Sequence, residues 1–96
     1  MALSGKRLER LRDHTMTIMA AALPVSVENR FSKSPIPGEI ATRVAANAQI
    51  VGKRGLRDQV LIILADYRDH AWTRRALASE GKRMQLADQI MGWEAS

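Results

Sequence analysis

The sequence predicts an all-α fold, a compact bundle of about four helices. Apolar residues recur at intervals of three and four along most of the chain, the pattern of helices that each bury one stripe. Prolines and glycines gather in a few places, so they bound segments of helical length. With 96 residues, 46% of them hydrophobic and 26% charged, the composition is that of one globular domain, residues 1–96.

The first helix is predicted over 5–22. Leu8, Leu11, Thr15, Ile18, Met19 and Ala22 form its apolar stripe, and Ser4 stands in the N-cap position. Pro24 biases Leu23 away from helical angles and ends it. The opening turns carry Lys6, Arg7, Arg10 and Arg12, the wrong sign for the positive end of a helix dipole. Local stability does not select that arrangement, which makes the cluster a functional candidate.

Residues 24–36 contain two prolines and three serines and read as an irregular connection. So long a loop inside a compact domain is uncommon, so Val25, Val27, Phe31 and Ile36 are expected to pin it to the core. A second helix is predicted over 37–51, with Pro37 at its first position and Glu39 in its first turn. Its stripe is Ile40, Val44, Ala48 and Val51; Ala41, Ala45 and Ala48 make an edge that another helix can approach closely. Gly52 and Gly55 supply its end.

The third helix is predicted over 56–79. Leu56, Val60, Ile63, Leu64, Tyr67, Ala71 and Ala78 share the face assigned to the core. Leu61, Ala65, Trp72 and Ala76 lie on a different face, and two apolar faces on one helix imply two contacts. Gly81 is expected to separate this helix from a fourth over 82–92, where Leu86, Ile90 and Trp93 are helically spaced and Gly92 marks the end. A continuous helix over 56–91 is the alternative, because one glycine costs only about 1 kcal/mol relative to alanine.

Fifteen basic against ten acidic residues give a net charge of +5, which favours polyanionic partners or acidic protein surfaces. Arginine outnumbers lysine, which suits bidentate contacts with phosphate or carboxylate. The chain has no cysteine, so disulfides and thiolate metal sites are excluded; this fits a reducing cytoplasm, the expected location. The uncharged run at 15–27 is diluted by Thr and Ala and preceded by Glu9 and Asp13, so it does not read as an export signal. No stretch reaches the ~18 apolar residues of a membrane span.

Catalysis finds little support. Asp66 and His70 share a helix face but read as a surface ion pair, and His14 is the only other histidine, so no metal and no cofactor is expected. Asp66 and Asp69 match the acids that amphipathic helices display on a solvated face. The motifs GKRG and SEGKR lack the first glycine of a phosphate-binding loop.

Binding is therefore the expected function. Phosphate backbones reward several cations on one surface through counterion release. The candidate nucleic-acid-binding residues are Lys6, Arg7, Arg10, Lys53, Arg54, Arg57, Arg74, Arg75, Lys82 and Arg83. The leading expectation is a small DNA-binding regulator or accessory factor acting as a homodimer. A helix-turn-helix register over 48–58 fails at Asp58, while one over 77–91 places Leu77, Gly81, Ala87 and Ile90 compatibly. The alternative expectation is an inhibitor or adaptor, of the kind mobile elements encode, docking on a larger protein. Its surface would be Leu61, Ala65, Arg68, Trp72 and Ala76, apolar at the centre and rimmed by arginine.

Overall fold

The computed structural model describes residues 3–23, 35–70 and 73–95. The connection expected over 24–36 lies outside the described residues except for Pro35 and Ile36, and so do Ala71 and Trp72. In order, the elements are α1 (Gly5–Ala22), α2 (Ile36–Asp66), α3 (Arg74–Leu77), α4 (Glu80–Met91) and a 3₁₀ turn (Gly92–Glu94). Among the described residues there is no strand.

α1 begins where Ser4 accepts a hydrogen bond from the Arg7 N–H at 3.3 Å, a side-chain cap on amides that have no intrahelical partner. Leu11, Thr15 and Met19 are fully buried along its stripe. Thr15 is tolerated there because its hydroxyl donates to the Leu11 carbonyl one turn back, at 2.7 Å.

α2 is two arms joined at Gly52, whose φ of 71° and ψ of −171° lie in a region open essentially to glycine alone. The arms, 36–51 and 53–66, fold back on each other. Arg43 meets Asp66 at 2.7 Å, and the Tyr67 hydroxyl donates to Glu39 at 3.2 Å. The helix boundary expected at Gly52 is thus a hairpin turn. Gly55 is needed for a different reason: a Cβ there would stand 2.9 Å from the Val51 Cβ.

The second arm stops at Asp66, well short of the expected 79. Tyr67 donates its N–H to Leu64, and Thr73 turns its hydroxyl onto the carbonyls of Tyr67 and His70. Asp66, Asp69 and His70 are weak helix formers, and threonine competes for backbone groups through its own hydroxyl. The continuous helix over 56–91 is excluded by the same turn. After α3, a single turn, Ser79 caps α4 by accepting from the Lys82 N–H at 3.1 Å. Gly81 therefore sits inside the first turn of α4 and separates nothing. Ala78, expected on the core side, is exposed.

Contacts along the rods show an up-down-up-down bundle. Gly38 lies near Met16, and Ala45 beside Leu8 and Arg12, so the first arm of α2 runs antiparallel to α1. Arg57 pairs with Asp88 and Lys53 with Glu94, so the second arm runs antiparallel to α4. His14 Nε2 donates to the Gln89 carbonyl at 2.8 Å and Arg7 reaches Glu94, which closes α4 back onto α1. At the centre lie Leu11, Met19, Ile40, Val44, Leu56, Val60, Ile63, Leu64, Leu77, Ile90 and Trp93, each at most 1% exposed. Each such side chain contributes about 1.5–3 kcal/mol by leaving water. Trp93 is the largest of them, in a chain with only four aromatic residues.

Candidate functional site

Of the ten basic residues singled out in the sequence, contacts bring Arg7 and Lys53 together just beyond the end of α4, and Arg75 and Lys82 together with Arg83 near its start. Twelve helical residues lie between the ends, about 18 Å of axis.

The first group forms where α1 begins and α2 turns. Arg7 Nη2 lies 2.8 Å from Glu94 Oε2, and Lys53 Nζ lies 2.6 Å from Glu94 Oε1. One carboxylate thus ties together two basic segments far apart in the chain. The fold makes this meeting: Gly52 reverses the chain just before Lys53, and the 3₁₀ turn buries Trp93 while leaving Glu94 outside. The Arg7 guanidinium also lies over the Trp93 ring, 5.3 Å from its centroid, a cation–π distance. The hydrogen bond from Lys53 holds the Glu94 carboxyl below the usual carboxylate range; partial desolvation opposes this, and the charges of Lys53 and Arg7 reinforce it.

Around this bridge stand further cations. Lys6 and Arg10 occupy one face of α1, four residues apart, beside a shallow depression of about 680 Å³ that Glu9, Asp13, His14 and Thr17 also line. Arg54 is exposed at the first turn of the second arm, and Arg57 holds Asp88 at 3.2 Å. Among the described residues, Lys6, Arg10 and Arg54 make no ion pair.

The second group serves the fold more directly. Arg83 donates to the carbonyls of Leu77 at 2.7 Å and Ala78 at 3.0 Å, and Lys82 to that of Arg75 at 2.8 Å. Both side chains cap the C-terminal carbonyls around α3, which a single-turn helix leaves unpaired. Arg74 and Arg75 are exposed beside them. The helix-turn-helix register over 77–91 is not realised, because its turn glycine, Gly81, is helical.

A separate surface lies between the second arm of α2 and α4. Leu61, Ile62, Ala65 and Met84 line a groove of about 320 Å³, with Glu80 and Arg83 at its edge. Leu61 and Ala65 come from the predicted second face. Ile62 (55% exposed) and Met84 (41%) were not anticipated; both sit in apolar-rich segments, but no single-helix wheel brings two helices together. Of the other predicted interface residues, Ala76 is half-buried against the core and Arg68 is exposed beside Asp69 at 3.5 Å. Trp72 lies outside the described residues.

No group of three or more His, Asp or Glu suited to a metal ion occurs among the described residues. No described helix is long and apolar enough to cross a membrane. Among the described residues, fold and surfaces define the class: a small basic helical bundle with cations towards both ends of α4 and an apolar groove between α4 and the second arm of α2. No protein-family model, no curated protein and no solved structure matches the chain.

Proposed function

We propose that the chain is a non-catalytic DNA-binding regulator or accessory factor of the cytoplasm, gripping the phosphate backbone with the bundle end that carries Lys6, Arg7, Arg10, Lys53, Arg54 and Arg57. The observation that supports this most is the sharing of Glu94 by Arg7 and Lys53, which puts two basic segments on one surface. Cations on one surface act jointly on a phosphate backbone, each contact releasing condensed counterions. The amides at the start of the second arm point the same way, since helix N-termini favour anions.

The test uses two arginines of this end that make no ion pair among the described residues, so that the fold is spared. Arg10→Glu with Arg54→Glu should abolish retention on a mixed-sequence duplex at low salt, with the helical circular dichroism unchanged. Unchanged retention overturns the assignment of this end.

The apolar groove supports homodimerisation as the second element of the proposal. Ile62 and Met84 are large apolar side chains exposed at one place, the groove that both line. A second copy is the occupant that the groove's charges favour. Glu80 and Arg83 carry opposite signs at its edge, and a two-fold axis passing between them would set each against its opposite in the second copy. Light scattering should return twice the mass of the chain, falling to one chain in Ile62→Glu with Met84→Glu. A monomeric wild type removes the dimer and leaves the groove to a foreign helix, the adaptor reading.

A further inference from the structure

We infer that Arg7 and Lys53 form an oxyanion site for one phosphate of a nucleic-acid backbone, and that the Glu94 carboxylate occupies this site in the free protein. The inference rests on the nucleic-acid reading above and concerns how that surface is regulated.

The geometry is that of a bound anion. Each Glu94 oxygen takes one cation, Oε2 from Arg7 at 2.8 Å and Oε1 from Lys53 at 2.6 Å. Carboxylate and phosphate diester both carry one negative charge and present two oxygens to paired donors, so cations spaced for one accept the other. Nor is the site buried: the three side chains are 43%, 59% and 37% exposed, open enough for a ligand to displace the carboxylate.

The parts also divide into fixed and movable. Trp93, fully buried, anchors the 3₁₀ turn, and its ring lies under the Arg7 guanidinium. Glu94 follows it in the chain with its side chain outside the core. It can rotate away without unpacking Trp93, while Arg7 keeps its aromatic platform. Exchange of Glu94 for a phosphate therefore replaces one anion by another. Little net charge is neutralised at this point, so in the wild type the salt dependence of binding reports mainly Lys6, Arg10 and Arg54.

Removing the carboxylate converts Arg7 and Lys53 into additional phosphate ligands. In the full-length chain, Glu94→Gln should raise affinity for a duplex oligonucleotide about tenfold and steepen the slope of log K against log salt by about one to two. Glu9→Gln removes a negative charge nearby without opening the pair. It should change affinity less than about threefold and leave the slope alone. An affinity gain and slope for Glu94→Gln no greater than those of Glu9→Gln overturn the inference while wild-type binding keeps the nucleic-acid reading.

Inorganic pyrophosphate provides the second arm, read by NMR shifts of the Arg7 and Lys53 side chains in both proteins. If neither protein binds the duplex but pyrophosphate shifts these residues more strongly in Glu94→Gln, the oxyanion site stands and the nucleic-acid reading falls. No shift in Glu94→Gln overturns the site itself.

Discussion

Arg43, midway along the first arm of α2, and Asp66, the last residue of the second, meet at 2.7 Å across the hairpin, 23 residues apart in sequence. The same guanidinium lies 5.5 Å from the Tyr67 ring centroid, and the Asp66 hydrogen bond, then the one with Tyr67, raises the Arg43 pKa. Both charged partners are about half exposed, so solvent screens the pair and it contributes at most about 1 kcal/mol, with the ring contact adding about 0.5–1 kcal/mol. Arg43→Ala should therefore lower stability by about 1 kcal/mol in urea unfolding. Arg43→Lys should recover only part of it, because an ammonium lacks the planar fork. Full recovery by lysine would show that charge alone closes the hairpin.

Three glycines should respond to alanine with different signs. Gly52→Ala forces a side chain onto a positive φ and should cost about 1–3 kcal/mol. Gly55→Ala sets its methyl 2.9 Å from the Val51 Cβ, a stiff branch point, and should cost about 1–3 kcal/mol by overpacking. Gly81→Ala meets nothing within 4 Å in the first turn of α4 and should stabilise by about 0.5 kcal/mol. Shifts in the urea midpoint of the three variants check the ordering. A destabilising Gly81→Ala would show that the start of α4 needs more than the Ser79 cap.

The helices themselves were legible because periodicity is a local property. Leu11, Thr15 and Met19, then Ile40, Val44 and Ala48, then Leu56, Val60, Ile63 and Leu64 are all buried where their spacing placed them. Ser4 caps α1 as its position suggests, and Gly52 breaks α2. The end of the third helix was misplaced, since Gly81 is the stronger breaker by composition while the chain turns at Thr73 through hydrogen bonds to the carbonyls of Tyr67 and His70. Such bonds depend on how the turn packs, and a propensity scale does not carry that. The site was half legible: the basic clusters stand out as clusters, but nothing in the chain announces that Glu94 joins Arg7 to Lys53, or that Met84 faces Ile62. Those pairings belong to the antiparallel stacking of the rods.

The Glu94 bridge should make stability depend on acidity in a defined direction. Its carboxyl is held below the ordinary range, mainly by the hydrogen bond from Lys53 and by the nearby Arg7. A folded pKa below the unfolded one means that folding favours the ionised form. The stabilising contribution is then complete above the unfolded value of about 4.3 and is lost as pH falls through the depressed folded value. Wild type should accordingly be more stable than Glu94→Gln at neutral pH, and the two urea midpoints should draw together as the pH falls through the depressed folded value, where the carboxyl becomes as neutral as the amide. Added salt at neutral pH should shrink the difference as well, since all three side chains are exposed to screening. A difference that persists unchanged in acid would mean that Glu94 stabilises the 3₁₀ turn through packing rather than through its charge.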